Sequence, residues 1–509
     1  MPTGTKRPNI LFILTDQQRY DTIGANGNPR IFTPHLDRLS AEGVVFERAY
    51  TSSPECIPAR AVIMTGRPVH QIGCFSNSYS LDPRAATFQR LLREAGYLTQ
   101  AVGKMHFKPC REGFGMERLC LSEEIPHGVE EDEFLQELHA AGFAWAEEPH
   151  GMRSHMYYLP QVSQLPDQWH TTTWTGRKTV EFIESQRGGA QPWLCWVGFM
   201  KPHPPFDPTV PFNTLYDPVE TPPPVRGPQC KANCNWYQML QNRGKWMDLE
   251  PDPHLMQAQK AHYWACVSMV DRQVGLILDA LEHTGQRDNT LILFTSDHGE
   301  LLGDHHSWGK RSWYEGSARV PFIVSWPGRI KQGQRRDLLV DQTDILPTFL
   351  AAAGLDAPSW APGVNLLELC RDDAARSREF LCGQLGEKGL ALYLALDAEW
   401  KYAYCAADGK EQLFHYASDP DELVNRASDP QAAEAKARLF GALVDYWRRD
   451  GYEDPVEDGA WRPWPRGTSG LERLLEQGEA PHGIAGGYRQ YAAWNKRADN
   501  VFRPEGRVQ

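Results

Sequence analysis

A cysteine stands just before a proline that suits a helix start, and an arginine follows it by one helical turn. The stretch, residues 52–66, reads SSPECIPARAVIMTG. Pro58 fits the first turn of a helix because its missing N–H costs little there, and Arg60 then lies on the same face as Cys56. A helix start carries partial positive charge and free N–H groups, which attract an anion. The pattern predicts a thiol and a guanidinium at one anion site, although a buried thiol beside a surface arginine fits CIPAR taken alone.

Four polar residues follow short apolar runs that are typical of buried strands. Asp16 comes after NILFILT and Lys104 after LTQAVG, while His203 and Asp297 follow PWLCWVGF and NTLILFTS. Ligand sites in open α/β sheets lie outside the carboxyl ends of the strands. The sequence therefore predicts that these four side chains meet at one edge of a sheet.

Apolar runs alternate with amphipathic stretches along most of the chain. Examples are NILFILT before TPHLDRLSAEG, and TFQRLLREAGY before LTQAVGK. Such alternation predicts an α/β fold with a large, mostly parallel sheet flanked by helices. Two stretches, 107–170 and 204–256, are rich in Pro, His, Trp and Tyr, and we predict that they are long loops that frame a pocket.

The sequence pattern changes after about residue 370. The run LALYLALDAEWKYAYCAADGKEQLFHYASDPDEL predicts antiparallel strands with an Asp-Gly turn, and QAAEAKARLFGALVDYWRR predicts a helix. We therefore divide the chain into a large site-bearing domain, 1–370, a smaller α+β subdomain, 371–451, and an extended tail, 452–509. The tail is predicted to pack on the body or on another subunit, so a homo-oligomer stays open.

Composition and charge exclude some classes of function. The 509 residues carry 53 basic and 65 acidic side chains, a net charge of −12, which argues against a nucleic-acid partner because phosphate binding needs a basic surface. The first apolar run, residues 10–14, is too short for a signal peptide or a membrane span. Eleven cysteines without a regular spacing predict reduced thiols and a cytoplasmic protein. Cys230 and Cys234 lack a second pair with zinc spacing, so we assign them a structural role.

CIPAR is one of several motifs that occur together. MTGR follows it, NILFILTDQQ and TPHLDRLSAEGVVF precede it, and GKMH, KPHPPF and SDHGELLGDH come later. In order and spacing, over roughly residues 7–450, this set resembles the type I, formylglycine-dependent sulfatases, close to bacterial arylsulfatases and phosphonate monoester hydrolases. The resemblance implies an alkaline-phosphatase-like fold and the oxidation of Cys56 to formylglycine by a formylglycine-generating enzyme. It makes Arg60 the residue that holds the aldehyde.

The resemblance also implies a metal site. It carries metal ligation to Asp16, Gln17, Asp297 and His298, and an oxygen of the modified Cys56 completes the set. Gln17 and His298 depart from a common sulfatase pattern, which has a second Asp and an Asn there, and they resemble bacterial sulfatases and phosphonate monoester hydrolases. Because carboxylate and amide oxygens suit a hard cation, one Ca²⁺ is expected, with Mn²⁺ as the alternative. Without the resemblance, Asp16 and Asp297 are ordinary caps of the helices that follow.

Four further side chains are implied to bind sulfate and to move protons. Lys104 bridges sulfate and the aldehyde oxygen. His106 lies on the same side if the strand continues, and it deprotonates the remaining hydroxyl. His203 and Lys310 contact sulfate and protonate the leaving alcohol. With Arg60, these cations form the local basic pocket that an acidic protein needs for an anionic substrate.

Five other positions carry weaker signals. Asn77, by resemblance to the phosphonate hydrolases, binds the substrate head group or the formylglycine diol, and a turn role is the equal alternative. His305 and His306, in GDHHSW, are predicted to belong to a helix or loop beside the first site rather than to a second metal site. His35 and His70 are assigned to structure.

Together these assignments predict a hydrolase that cleaves sulfate monoesters, either aryl or carbohydrate sulfates, through a formylglycine hydrate and a sulfo-enzyme intermediate. The hydrate has two hydroxyls, so one attacks sulfur and the other expels the sulfate afterwards. Three alternatives stay open. They are a phosphonate monoester or phosphodiester hydrolase with the same site, a non-catalytic binding protein with unmodified Cys56, and a two-zinc phosphodiesterase that uses DHGELLGDHH.

Overall fold

An eight-stranded sheet forms the centre of the molecule. The computed structural model describes residues 7–126, 128–153, 156–246, 250–468 and 472–473. Within these ranges the strands of the sheet are β1 (Asn9–Asp16), β2 (Val44–Tyr50), β3 (Leu98–Gly103), β4 (Arg118–Leu121), β5 (Trp193–Pro202), β6 (Thr290–Ser296), β7 (Phe322–Ser325) and β8 (Gln334–Asp341). They lie in the order β4-β3-β5-β1-β6-β7-β2-β8. β7 is antiparallel to both neighbours, and the other pairings in the described sheet are parallel. The predicted large, mostly parallel sheet is confirmed.

The first strand shows that the sheet is buried on both faces. All eight residues of β1, NILFILTD, are buried. Ile10, Phe12 and Leu14 belong to one hydrophobic core, whereas Leu11 and Ile13 belong to the other, as the two-residue period of a strand requires. A strand covered on both faces reads as a continuous apolar run, which explains the sequence pattern.

Helices cover both faces of this sheet. In chain order, the α-helices of the described residues are α1 (Pro34–Ala41), α2 (Cys56–Thr65), α3 (Val69–Ile72), α4 (Phe88–Glu94), α5 (Glu133–Ala140), α6 (Thr171–Ser185), α7 (Cys230–Asn233), α8 (Trp236–Trp246), α9 (Pro253–His283), α10 (Glu315–Ala318), α11 (Ile345–Ala352), α12 (Leu366–Arg371) and α13 (Ala433–Arg449). α2, α4, α11 and α12 contribute to one core, and α1, α6 and α9 contribute to the other. The predicted α/β class is therefore confirmed. Among the described helices, none combines the length and the apolar character that a bilayer crossing requires.

The strand order places four chain segments side by side. β3, β5, β1 and β6 are neighbours in the sheet and run parallel, so their carboxyl ends meet at one edge. Asp16 ends β1, while Lys104, His203 and Asp297 directly follow β3, β5 and β6. The edge that was predicted to carry a site is therefore formed by the ends of β3, β5, β1 and β6.

A second, antiparallel sheet follows residue 380. Its strands are β9 (Leu381–Leu385), β10 (Leu392–Leu396), β11 (Trp400–Cys405) and β12 (Lys410–His415), and α13 packs on one face. Gly409, in the turn between β11 and β12, has a φ of 68°, which glycine adopts without steric cost. The predicted antiparallel strands, Asp-Gly turn and helix are confirmed, and the domain boundary at residue 371 stays a prediction.

Part of the predicted tail packs on this second sheet. β13 (Val456–Glu457) and β14 (Ala460–Trp461) form a short hairpin. Trp461 stacks on Tyr404 of β11, with the ring centroids 4.1 Å apart. The rest of the tail prediction, for residues 469–471 and 474–509, lies outside the described residues.

The two regions predicted as loops contain helices, so that prediction is wrong for these segments. α5 lies in the first region, and the Asp132 side chain caps it by accepting from the backbone N of Leu135 at 2.9 Å. α7 and α8 lie in the second region. α8, WYQMLQNRGKW, buries Trp236, Tyr237 and Leu240 on one side. Its aromatic and polar composition is unusual for a helix, and only the spacing of its buried residues indicates one.

Candidate active site

Four potential metal ligands converge where β1 and β6 end. Ligand atoms of Asp16, Cys56, Asp297 and His298 all lie within 4.8 Å of one another, and all four residues are buried. Asp16 is the last residue of β1, Asp297 and His298 follow β6, and Cys56 begins α2. Two carboxylates, an imidazole and the Cys56 side chain thus form a donor set of the kind that holds a divalent cation.

Arg60 holds the two carboxylates of this set. Its Nε lies 3.0 Å from Asp297 Oδ2, and its Nη2 lies 3.2 Å from Asp16 Oδ2. Nη1 donates to the carbonyls of Lys104 and Met105 at 3.1 and 3.3 Å. Burial works against the charged form, but the two carboxylates raise the pKa of Arg60 above its usual value, so the guanidinium stays charged. Its implied role of holding an aldehyde stays a prediction.

The thiol of Cys56 lies between an imidazole and an ammonium group. Its Sγ is 3.3 Å from His298 Nε2 and 3.0 Å from Lys310 Nζ. Burial and the Asp16 carboxylate oppose ionisation of the thiol, but Lys310 and His298 outweigh them and lower the pKa of Cys56 to about 6. The surroundings of this side chain therefore favour an ionised, nucleophilic group.

Asn77 fixes the start of the helix that carries Cys56. The backbone N of Ile57 donates to Asn77 Oδ1 at 2.9 Å, so Asn77 satisfies one of the free N–H groups at the start of α2. Glu55, which precedes the helix, makes no such side-chain cap. This contact supports the structural alternative for Asn77, and a contact with substrate stays a prediction.

Gln17 directs its amide oxygen to the site. Its Oε1 accepts from Lys310 Nζ at 2.7 Å, while Nε2 donates to a Glu300 carboxylate oxygen, which also accepts from the Tyr158 hydroxyl at 2.9 Å. The backbone N of Gln17 donates to Asp297 Oδ1 at 3.0 Å, and its φ is 69°. Positive φ is uncommon for a residue other than glycine and is found at functional sites. The Glu300 carboxylate thus fixes the orientation of the Gln17 amide, so that its oxygen, and not its nitrogen, faces the place where a metal ion would bind.

β3 ends before Lys104 and His106. The strand finishes at Gly103, and His106 has a φ of 54°, so the condition for placing both side chains on one side of a strand is not met. Glu123 causes the turn, because its carboxylate accepts from the backbone N–H groups of Met105 and His106 at 2.9 and 3.0 Å. A turn, and not the alternation of a strand, brings both side chains to the site.

A carboxylate that the motifs do not include lies among the cations. Glu124 Oε2 is 2.5 Å from Lys104 Nζ, and Oε1 is 2.9 Å from Arg153 Nη1 and 3.7 Å from His203 Nδ1. Burial opposes ionisation, but the neighbouring His203, Lys104 and Arg153 hold the pKa of Glu124 well below its usual value. Lys104 Nζ also lies 2.6 Å from Asp16 Oδ2, so this ammonium bridges two carboxylates.

His203 is fixed by its own loop. Its Nδ1 lies 2.7 Å from the carbonyl oxygen of Pro204, so Nδ1 carries a proton and Nε2 is the nitrogen left for other partners. Two residues before it, Lys201 Nζ donates to the carbonyl of Pro205 at 2.6 Å. A hydrogen bond across the loop therefore holds the backbone on both sides of the imidazole.

Lys310 and its neighbour Arg311 point to different groups. Lys310 Nζ contacts Cys56 Sγ and Gln17 Oε1, at 3.0 and 2.7 Å. Arg311 has a φ of 59°, and its Nη2 lies 2.5 Å from a carboxylate oxygen of Glu55. The geometry thus places Lys310, and not the adjacent arginine, against Cys56.

His305 lies beside the site without joining a ligand cluster. Among the described residues, the groups of potential metal ligands all contain Asp16, and none includes His305 or His306. The His305 ring stacks on Tyr314 with the centroids 3.7 Å apart, and its Nδ1 lies 3.4 Å from Cys230 Sγ. These contacts support structural roles for His305 and Cys230 rather than a second metal site.

His35 and His70 lie between helices, away from the cluster. The His35 ring packs so closely against α9 that a Cβ added at Gly275 would lie 2.5 Å from it. His70 Nε2 lies 2.7 Å from Asp450 Oδ2, and its ring stacks on Tyr452 at a centroid distance of 5.2 Å. Both contacts suit the structural role that was predicted.

Three carboxylates that shape the site were given no role from the sequence. Glu123 and Glu124 follow β4, so the rule that placed Asp16 applies to them too. The signal is weak because β4 is only four residues long, RLCL, and lies in a stretch predicted to be a loop. Glu300 stands two residues after His298 within DHGE, and its position in that motif was the available signal.

The chain matches a known family over most of its length. Residues 8–355 match the family described as Sulfatase, and residues 303–448 match the one described as N-sulphoglucosamine sulphohydrolase, C-terminal. The chain belongs to the sulfatase family. This membership confirms the predicted class of enzyme, a sulfuric ester hydrolase of the alkaline phosphatase superfamily.

Individual relatives cover nearly the whole of this sulfatase. An arylsulfatase of Clostridium perfringens is 30% identical over 473 residues, which cover 88% of this chain and 96% of the relative. A choline-sulfatase of Rhizobium meliloti is 29% identical over 486 residues, 91% of each chain. A solved phosphonate monoester hydrolase from Silicibacter pomeroyi matches with a TM-score of 0.75 and 24% identity, over 90% of this chain and 99% of its own. The last match confirms the predicted fold.

Proposed function

We propose that this sulfatase hydrolyses sulfate monoesters with a formylglycine at position 56 as the nucleophile. The position of Cys56 supports this: its Sγ lies 3.0 Å from Lys310 Nζ and 3.3 Å from His298 Nε2, within the cluster that includes Asp16 and Asp297. A helix start and an adjacent ammonium both favour an ionised oxygen there. A hydroxyl that replaces the thiol therefore becomes a better nucleophile than it is in water.

The same cluster fits a divalent cation. Its proposed ligands are Asp16, Gln17, Asp297, His298 and the oxidised side chain at position 56. Carboxylate and amide oxygens with one imidazole suit Ca²⁺ as the first choice and Mn²⁺ as the second. When bound, such a cation lowers the pKa of a hydroxyl that coordinates it.

The other side chains bind sulfate and move protons in this proposal. Lys104, His203 and Lys310 bind the sulfate oxygens. One hydroxyl of the formylglycine hydrate attacks sulfur while the ester oxygen leaves with a proton from Lys310 or protonated His203. His106 then removes the proton of the second hydroxyl, the bond between carbon and the sulfate oxygen breaks, and the aldehyde is restored for water to hydrate again.

Maturation and location follow from the same proposal. A formylglycine-generating enzyme is the partner that oxidises Cys56, and a small sulfated molecule is the substrate. All eleven cysteines are free, which agrees with the reducing cytoplasm as the proposed location. A homo-oligomer stays open.

The leaving group is proposed to be an aryl or carbohydrate alcohol, in agreement with the arylsulfatase relative. Trp174 is fully buried beside Phe134 and belongs to a core. Trp169 and Trp246 are only half-buried, so part of each ring is open to stack on such a group. Trp236 packs against Tyr237 with the centroids 4.8 Å apart.

A second candidate is the hydrolysis of phosphonate monoesters or phosphodiesters at the same site. Gln17 and His298 support it, because both positions resemble the phosphonate hydrolases, and one solved structure with this fold is such an enzyme. Lys104 and His106 favour the sulfate reaction. The two candidates predict opposite substrate preferences.

Turnover of two substrates with one leaving group tests the proposal. We expect a higher kcat/KM for 4-nitrophenyl sulfate than for 4-nitrophenyl phenylphosphonate, and a strong preference for the phosphonate contradicts the sulfatase reaction. Mass spectrometry of the CIPAR peptide from the native host tests the nucleophile separately. Complete alkylation of Cys56 as cysteine would contradict the formylglycine mechanism.

A further inference from the structure

Glu124 introduces a negative charge into a pocket that is proposed to bind an anion. Its side chain is 9% exposed, and its oxygens lie 2.5 Å from Lys104 Nζ and 2.9 Å from Arg153 Nη1. His203, a proposed sulfate ligand, lies 3.7 Å away through its Nδ1. The carboxylate therefore contacts Lys104, which is proposed to bind the substrate, and lies near His203, which is proposed to do the same.

The adjacent carboxylate, Glu123, is the one that supports the backbone of this segment. Glu123 accepts from the backbone N–H groups of Met105 and His106 and so shapes the turn after β3. The contacts of Glu124 are instead with charged side chains. Its main effect is thus on the electrostatic potential of the pocket rather than on the path of the backbone.

Two cations of the pocket are already paired with carboxylates before a substrate enters. Lys104 Nζ pairs with Asp16 as well as Glu124, at 2.6 and 2.5 Å, and Arg153 pairs with Glu124. Two cations thus face two carboxylates. In a buried site with a low effective dielectric constant, one such charge changes the energy of a nearby anion strongly.

Sulfate monoesters and their product differ in charge. The ester is a monoanion, inorganic sulfate is a dianion, and a phosphate monoester is mainly a dianion at neutral pH. We propose that Glu124 is a specificity-determining residue that adapts the site to monoanionic esters and disfavours dianions, which include the sulfate product and phosphate monoesters. This inference rests on the proposed sulfate hydrolysis and deepens it.

Binding of two tetrahedral sulfur anions to the metal-loaded enzyme tests the inference. Methyl sulfate carries one charge and inorganic sulfate carries two, and calorimetry gives a Kd for each. In Glu124→Gln we expect sulfate to bind roughly tenfold more tightly or better, because a unit charge within a few ångströms is removed. The affinity for methyl sulfate should increase clearly less. The ratio of the two Kd values is therefore the quantity to measure.

Two further variants give the controls. Glu117→Gln removes a carboxylate close to the other end of β4, where the side chain is 35% exposed, and should leave the ratio unchanged. Arg153→Gln removes a partner of Glu124 and keeps the carboxylate, so it should weaken sulfate more than methyl sulfate. It also tests the inference if Glu124→Gln does not fold.

An equal change for both anions in Glu124→Gln, or weaker binding of both, overturns the inference. So does an Arg153→Gln variant that loses both anions equally. Failure of the proposed function looks different: the wild-type enzyme then turns over no sulfate monoester, while the Kd ratios still report the role of Glu124.

Discussion

The site has two sides that are built in different ways. We call them the metal side, which comprises Asp16, Asp297, His298 and Arg60, and the sulfate side, which comprises Lys104, His106, His203 and Glu124. The first lies at the ends of the central strands and in α2, and one arginine pairs with both carboxylates. The second lies in turns and loops after β3, β4 and β5, where the charges pair in a chain through Glu124. Sheet topology sets the metal side, whereas loop residues set the sulfate side and can change its preference without changing the fold.

Removal of the side chain at position 56 should have the largest effect, because it contacts His298 on the metal side and His106 on the sulfate side. We expect Cys56→Ala to lose roughly 10⁴-fold or more of its turnover of 4-nitrophenyl sulfate, as other enzymes do without their nucleophile. Alanine fits this buried position, so the fold should persist. Cys74→Ala, at another fully buried cysteine, is the matched control and should keep its activity. A Cys56→Ala variant within tenfold of the parent contradicts the mechanism.

Loss of Arg60 should destabilise the metal side severely. Arg60→Leu leaves Asp297 buried without its guanidinium partner and leaves Asp16 with Lys104 as its remaining partner, and the loss of a buried charge partner costs about 3 to 5 kcal/mol of the free energy of unfolding. Chemical denaturation without metal measures the loss. Arg311→Leu, whose pair with Glu55 includes a 20% exposed arginine side chain, should cost less. Saturating Ca²⁺ should reduce the loss in Arg60→Leu, and equal costs in the two variants would argue against a special role for Arg60.

Glu300 should affect metal affinity more than stability. Glu300→Gln keeps the shape but removes the carboxylate that receives the Gln17 amide, so the amide is free to rotate and its oxygen is less available. We expect a 10- to 100-fold weaker affinity for Ca²⁺, the usual range for residues that orient a ligand, measured by competition with a chelator. Tyr158→Phe removes a second donor to the same oxygen of Glu300 and should have a smaller effect in the same direction. An unchanged affinity in Glu300→Gln contradicts the orienting role.

His70, which belongs to neither the metal side nor the sulfate side, gives the smallest expected effect. Burial lowers the pKa of His70 below its usual 6.5, although the hydrogen bond to Asp450 acts in the opposite direction. The unfolded chain therefore binds this proton more readily, so the contribution of His70 is complete above pH 6.5 and is lost as the pH falls towards the folded pKa. As the pH falls from 6.5 towards the folded pKa, we expect the free energy of unfolding to decrease less in His70→Phe than in the wild type. Above pH 6.5 the substitution should leave turnover unaffected. If the curves of unfolding free energy against pH are parallel for the two proteins, the lowered pKa of His70 is contradicted.

The metal side was predictable because each of its residues follows a recognisable feature. Asp16 and Asp297 end runs of apolar residues that are buried on both faces, and His298 follows within the same motif. The sulfate side was predictable only in part. The position of His106 was not evident from the sequence, because the turn that carries it depends on the carboxylate of Glu123, which lies 17 residues further along the chain.

Glu124 and α8 were missed for a related reason. Both occur in stretches whose composition resembles loops, and their partners are far away in the chain. Lys104 is 20 residues from Glu124, and the burial of α8 depends on packing against the second sheet. Local patterns do not contain such contacts, so these parts of the site needed the three-dimensional structure.

The burial of α2 limits when the proposed oxidation of Cys56 can take place. Every residue from Cys56 to Thr65 is buried, and Asn77 anchors the backbone at its first turn. A second protein cannot bind this segment unless the hydrophobic core around it opens. We therefore expect the oxidation to occur on the nascent or unfolded chain. Molecules that fold before they are oxidised should then stay inactive for their lifetime. The specific activity of a preparation should therefore measure the fraction of chains that were oxidised before they folded.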